Sequence, residues 1–433
     1  MNTDKGKQNE QEPLGNDQPG APAQKGKSSK PKRPKKEGQK TLAQLSEAEK
    51  SKALDEFAAG FAAMLEPNSN TQTRELVLKR VGDEMHCTFD VRQFDNFLVA
   101  LGKEGMLKVY PRIDSNLQNK IKEKHKINNV TVVAGSAPSS FEEVSARVFM
   151  EKLNQIGRKK GGDHAKHLCV GIVSGSTIKA TIEQICHDSD DWLKRFGATP
   201  KDWPQLKIFA LNTSPATPKD IGGNANILCY RLAQKAMQQG AVNAEAYGLN
   251  AEVIVEKSRL QKIDNMPQTR DVLEITEPHR LYPDKRPGES DLDVILTGAG
   301  ALDPEYEKNS IFYRLAVQEN LDIAALIEGG LIGDLAYTGL NLQSNKVPLI
   351  KKTQAGSKGA DGEEIVFYSA ASLEVFKEIA TKGGNNKAVI LVARSDDQTD
   401  KAGIVLASRK YVTDIVICER TAGNMAFRQR LTT

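Results

Sequence analysis

The stretch VGIVSGSTIKATIEQI (170–185) changes character at its midpoint. His167 to Val173 is largely apolar and β-branched, Ser174 to Thr177 holds only glycine and hydroxyl residues, and the rest has helical spacing. A strand that stops, turns at Gly175 and starts a helix at once exposes free backbone amides beside the hydroxyls of Ser176 and Thr177. Those groups and the positive end of the helix dipole favour an anion, most simply a phosphate. Lys179 is near enough in sequence to help. Neither GxxxxGK[ST] nor GxGxxG occurs here, so the stretch is neither a Walker loop nor a dinucleotide fingerprint. The competing reading is a Gly-Ser turn that merely caps a helix.

Further loops carry similar chemistry. NTSPATPKDIGGNANI has Gly222 and Gly223 for close approach, with Asn224 and Asn226 able to bond hydroxyls. TGAGALD offers the amides of Gly298 and Gly300, and ARSDDQTDKAG places Arg394 and Lys401 where a second anion could bind. Together these loops predict a site for a phosphorylated polyol. The glycine-rich loop EGGLIGDLAYTGLN contains Asp334, an acid that could bind a hydroxyl or act as a base. No Ser-His-Asp or HExxH pattern accompanies it, so no catalytic residue is assigned. The five cysteines (Cys87, Cys169, Cys186, Cys229, Cys418) form no CxxC pair and no zinc-site spacing, which predicts buried thiols, no metal and no cofactor.

These loops need a scaffold. From about residue 130 the pattern alternates, with strands expected at Asn129–Val133, His167–Val173, Leu206–Leu211, Val253–Glu256, Asp293–Thr297, Ala388–Ala393 and Asp414–Cys418. Helices are expected at Phe141–Ile156, Thr177–Cys186, Asn226–Gln238, Ser372–Thr381 and Asp400–Ser408. This predicts an α/β fold, a mainly parallel sheet with helices on both faces and ligands beyond the carboxyl ends of the strands. Residues 41–125 read as helical. Ser46 and Glu49 form a capping box, and Leu54, Phe57, Ala58, Phe61 and Leu65 share one helical face. A short helix, a longer one with Phe94, Phe97, Leu98 and Leu101 inward, and a strand at MLKVYPRI outline a winged helix-turn-helix. Its outward Arg92, Gln93 and Asn96 could read base edges, beside Asp90 and Asp95, which repel phosphate.

The chain has 433 residues, 39% hydrophobic and 27% charged, which suits two or three globular units. Its formal net charge of +4 is concentrated: residues 1–40 hold ten Lys/Arg against five Asp/Glu, leaving the remainder near −1. That basic segment has little to bury and reads as a disordered tail able to touch a polyanion. No apolar run approaches the roughly 18 residues that span a bilayer, and the N-terminus lacks an apolar signal core. The expectation is a cytoplasmic protein with no membrane partner.

In order and spacing, FLVALGKEGMLKV, LQNKIKEKHKINNVTVV, GIVSGST, DIGGNANILCYRLAQKA, LDVILTGAG, GLIGDLAYTGLN, AVILVARSDDQTDKAGIVLA and DIVICERTA resemble the SorC family of bacterial transcription regulators. The resemblance runs from about residue 75 to 425. It implies a DNA-binding head (41–125) and a phosphosugar-binding effector domain (126–433) similar to sugar-phosphate isomerases and deaminases, with the basic tail (1–40) as an addition. It makes Gly175, Ser176 and Thr177 the phosphate loop, Asn226 and Lys401 ligand contacts, and puts Asp334 in the loop closing over the sugar. It also implies DNA and a phosphorylated sugar as partners, and a homo-oligomer, dimer or tetramer. The family loop often has Arg where Ser176 stands. Two alternatives stay open. GIVSGSTIKATI also resembles the phosphate loop of ribose-5-phosphate isomerase, although that enzyme's DGADE and KGGG loops are not found. A non-DNA-binding interaction protein with a degenerate head is the other.

Overall fold

The computed structural model describes residues 44–64, 74–85, 89, 93–94, 96–97, 100, 113–135, 138–160, 167–187, 204–213, 223–239, 243–302, 311–351, 363–382, 384, 386–395 and 399–427. Two compact units divide between Val109 and Tyr110. The basic tail, Arg92, Leu98, Leu101 and most of MLKVYPRI lie outside the described residues, as does Cys87.

In the first unit, α1 (Glu47–Met64) packs on α2 (Arg74–Glu84). The capping box forms: the Ser46 amide donates to Glu49 Oε2 at 2.9 Å, and the Glu49 amide reaches back to Ser46 Oγ at 3.4 Å. Leu54 and Phe57 turn inward against Val77, Leu78, Val81, Phe94 and Phe97. The Phe57 ring stacks on Phe97 and meets Phe94 edge-on, with centroids 4.8 and 5.0 Å away, a geometry that aromatic quadrupoles favour.

The second unit opens with α3 (Ser115–His125), capped by Asp114, whose carboxylate accepts from the Leu117 amide at 2.9 Å. The sequence reading assigned this helix to the head. It belongs instead with the second unit, because Ile121 and His125 are buried there and Asp114 pairs its amide with Val132. The strands that follow are β1 (Asn129–Val133), β2 (His167–Ile172), β3 (Gln205–Ala210), β4 (Ala244–Tyr247), β5 (Ile254–Glu256), β6 (Val294–Ala301), β7 (Leu331–Leu335), β8 (Thr338–Asn341), β9 (Leu349–Lys351), β10 (Glu363–Phe367), β11 (Ala388–Ala393) and β12 (Asp414–Cys418). Between them lie α4 (Pro138–Lys160), α5 (Ser176–His187), α6 (Ala225–Gln238), α7 (Leu260–Asp264), α8 (Pro267–Thr276), α9 (Ile311–Gln318), α10 (Ile323–Glu328), α11 (Leu373–Lys382) and α12 (Ala402–Ser408), with α13 (Glu419–Phe427) last.

Among the described residues the main sheet runs β1-β12-β11-β6-β2-β3-β4, every neighbour parallel. β2, β11, β12 and the first half of β6 are almost wholly buried, as strands covered by helices on both faces must be. β6 outruns its neighbours and pairs antiparallel with β7, which turns back as β8. A small antiparallel sheet, β5-β10-β9, joins α9 and α10 around a separate core of Phe312, Leu315, Leu331, Tyr337, Leu349 and Phe367. At the opposite end of the main sheet, Asp293 receives the Cys169 amide (2.8 Å) and the Lys160 ammonium (2.6 Å), which ties β2 to β6. Among the described residues no helix is long and apolar enough to cross a membrane.

Candidate functional site

The chain runs outward from β2 through β3 to β4, then returns to lay β6 on the other side of β2. The loops leaving β2 and β6 therefore diverge, and a crevice opens beyond their carboxyl ends at this switch point. There Val173 still donates to Leu296 at 3.0 Å, Ser174 turns away and donates to Asn212 Oδ1 at 2.7 Å, and Gly175 adopts φ +141°. That φ favours glycine. The Gly175 amide bonds to the Gly223 carbonyl at 3.2 Å, and its own carbonyl accepts from Lys179 to open the ladder of α5. The first amides of α5 thus face the crevice without intrahelical acceptors.

The second wall is the β7–β8 hairpin. The sequence predicts a loop over Glu328–Asn341; the structure makes it a hairpin. Its two central residues, Ala336 (φ +49°) and Tyr337 (φ +67°), adopt the left-handed conformation that two-residue turns demand and that Asn-Gly usually supplies. Two bonds hold this turn. Asp334 Oδ2 accepts the Tyr337 amide at 2.9 Å, and the Tyr337 hydroxyl lies 2.8 Å from Ser174 Oγ, which also accepts from Asn212 Nδ2 at 3.0 Å. Ser174, Asn212 and Tyr337 thus clamp the anion loop to the hairpin.

The third wall follows β11 and carries Arg394, Thr399 and Lys401. Arg394 pairs with Glu142 of α4 at 3.7 Å. The cleft measures about 280 Å³ and is lined by Gly175, Ser176, Thr177, Gly298, Gly300, Asp334 and Lys401 among others. Asp334 is buried, and that burial pushes its carboxyl up to about 7, with the Tyr337 amide and the Lys401 charge pulling the other way. Near neutral pH this side chain can therefore donate or accept a hydrogen bond toward a hydroxyl. Among the described lining residues there is neither histidine nor cysteine. Burial drives the Cys169 thiol elsewhere in the sheet up to about 12, so it stays protonated and unreactive.

Seven of the eight ligand residues inferred from sequence thus share one cleft. Asn226 does not: its amide donates to Leu249 O (3.2 Å) and accepts from Leu249 N (2.9 Å), fixing the exit of β4. It lines a separate depression with Thr213, Asn224 and Asn250. Three residues of the site carried no distinct signal in sequence. Ser174 looks like its hydroxyl-bearing neighbours, Asn212 only begins a polar loop, and Tyr337 sits in a turn whose residues are not the usual turn formers. In the first unit Gln93 is half-buried and Asn96 exposed, while Arg92 is outside the described residues.

The full-length sorbitol operon regulator SorC from Klebsiella pneumoniae superposes with a TM-score of 0.52 at 13% identity, over 86% of this chain and 99% of that one. This chain shares its fold with SorC. A DeoR family transcriptional regulator from Listeria monocytogenes aligns at TM-score 0.44 and 19% identity, over 71% of this chain and 97% of that one. A 6-phosphogluconolactonase from Trypanosoma brucei aligns at 0.36 and 14%, covering 69% and 99% of the two chains. No family model and no curated protein matches the sequence. The likeness to SorC spans more of this chain than the second unit alone.

Proposed function

We propose that this protein is a transcriptional regulator whose second unit binds a phosphorylated sugar and whose first unit binds DNA as part of a homo-oligomer. The observation that carries the reading is the convergence, in one cleft at the β2/β6 switch point, of the α5 amino terminus, Arg394, Lys401 and the buried Asp334. The helix end and the two cations suit a phosphate, and Asp334 suits a sugar hydroxyl. The fold shared with a sorbitol operon regulator supports the regulatory half. An enzyme is the second reading, and it too would draw on Asp334, whose carboxyl burial pushes up to about 7.

The test is thermal unfolding of the full chain against a panel of sugar phosphates and the matching unphosphorylated sugars. A ligand well above its dissociation constant raises the melting temperature by mass action. A shift confined to the phosphorylated compounds is expected. In the Ser176→Ala, Thr177→Ala double variant the affinity should fall about tenfold or more, the scale of charge-assisted hydrogen bonds. Equal shifts with the unphosphorylated sugars would remove the phosphate from the proposal.

A further inference from the structure

Helix α13 has both of its ends engaged. Its first turn carries Thr421, which donates to Ser395 Oγ at 2.8 Å and accepts the Ser395 amide at 3.2 Å. Ser395 Oγ also accepts the Lys401 amide at 3.0 Å, and Ser395 follows Arg394 directly. Both Arg394 and Lys401 line the cleft. Ser395 and Thr421 are buried, so these bonds are shielded from water and cannot be lost without cost.

At the other end of α13 the last carbonyls have no intrahelical donor and carry the negative end of the helix dipole. They are taken by α3. Lys124 Nζ donates to Ala426 O at 2.7 Å, and His125 Nε2 donates to Met425 O at 2.9 Å. His125 is itself buried, and α3 is the first helix after the junction between the two units. At nine residues α13 spans roughly 13 Å, short enough to move as one body.

We infer that α13 is a strut that couples the ligand cleft to α3, through Lys401–Ser395–Thr421 at one end and Met425/Ala426–His125/Lys124 at the other. An anion that draws Arg394 and Lys401 inward shifts the Ser395 segment, and the strut passes that shift to the helix leading into the first unit. This rests on the anion-binding reading of the cleft. Coupling of this kind requires that the ligand favour one position of the strut over another.

The test is amide hydrogen exchange on the full chain, with and without saturating inorganic phosphate, followed separately at Gly175–Ile178 and at Ser115–His125. In the wild type, phosphate should protect the first segment and change exchange in the second several-fold. In Thr421→Val the first segment should still be protected while the second no longer responds. Lys124→Ala removes one of the two bonds at the far end and should weaken the α3 response, even if Thr421→Val fails to fold. Protection at Gly175–Ile178 with an unresponsive α3 in the wild type overturns the strut and leaves the anion site standing. An undiminished α3 response in Thr421→Val or Lys124→Ala overturns it as well. No protection at Gly175–Ile178 in the wild type removes the anion site and the strut together.

Discussion

Asp334 is the residue whose chemistry departs furthest from what its type suggests. Its carboxyl titrates near 7 rather than at the ordinary 3.8 because burial disfavours the charged form more than the Tyr337 amide and Lys401 restore it. Between those two values the folded protein holds a proton that the unfolded chain has released. Stability from this group is therefore fully present below the ordinary carboxylate range and lost as pH rises through about 7. Asp334→Asn keeps an acceptor for the Tyr337 amide and removes the charge. Its melting temperature should exceed that of the wild type at pH 8 and converge with it toward pH 5. Parallel curves across that range would mean that Asp334 is ionised throughout. Asp334 stands out in the sequence as an acid in a glycine-rich stretch; its raised pKa does not, since that comes from burial and from a turn built from Ala336 and Tyr337.

The sequence pattern places six of the seven strands of the main sheet; β4 escapes it, and the strand expected at Val253–Glu256 pairs instead with β10 in the small antiparallel sheet. β1, β11 and β12 match their expected bounds, because runs such as AVILVA and DIVIC are short, apolar and β-branched between polar breaks. The β7–β8 hairpin was not read, because glycine-rich LIGDLAYTGLN has neither strand alternation nor the usual turn pair. The small core around Phe312 and Phe367 depends on contacts between distant segments that no local pattern announces. The hairpin is also where a minimal change should do most harm. A Cβ on Gly333 would stand 2.2 Å from the Gly300 carbonyl, which is backbone and cannot turn aside. Gly333→Ala should cost roughly 3 kcal/mol or more in urea unfolding, on the scale of overpacking. It should also abolish the thermal shift with phosphorylated ligands by parting β7 from β6. A variant of wild-type stability would mean that the two strands are not held at this register.

For the molecule as a whole, the charge is divided more sharply than the fold. The first forty residues carry ten Lys/Arg against five Asp/Glu, and the remainder is close to neutral. On the proposed reading, deleting them should weaken DNA binding and make its log–log salt dependence shallower by about 0.9 for each phosphate the segment neutralises. Titrations at several salt concentrations measure that slope, and an unchanged slope would separate the segment from DNA. Sugar-phosphate binding should be unaffected. The pairing of β1 with β12 reaches further still. Strand 129–133 finds its partner only at 414–418, and α3 finds the carbonyls that hold it only at 425–426. The entropic cost of closing so long a loop falls on the folding rate, so the first-made strand waits, unpaired, for the last. The segment that adjoins the first unit thus completes its contacts only when the opposite end of the chain arrives, beyond its own bond from Asp114 to Val132. A folding intermediate lacking its C-terminal strand and helix would present α3 without the carbonyls that Lys124 and His125 hold.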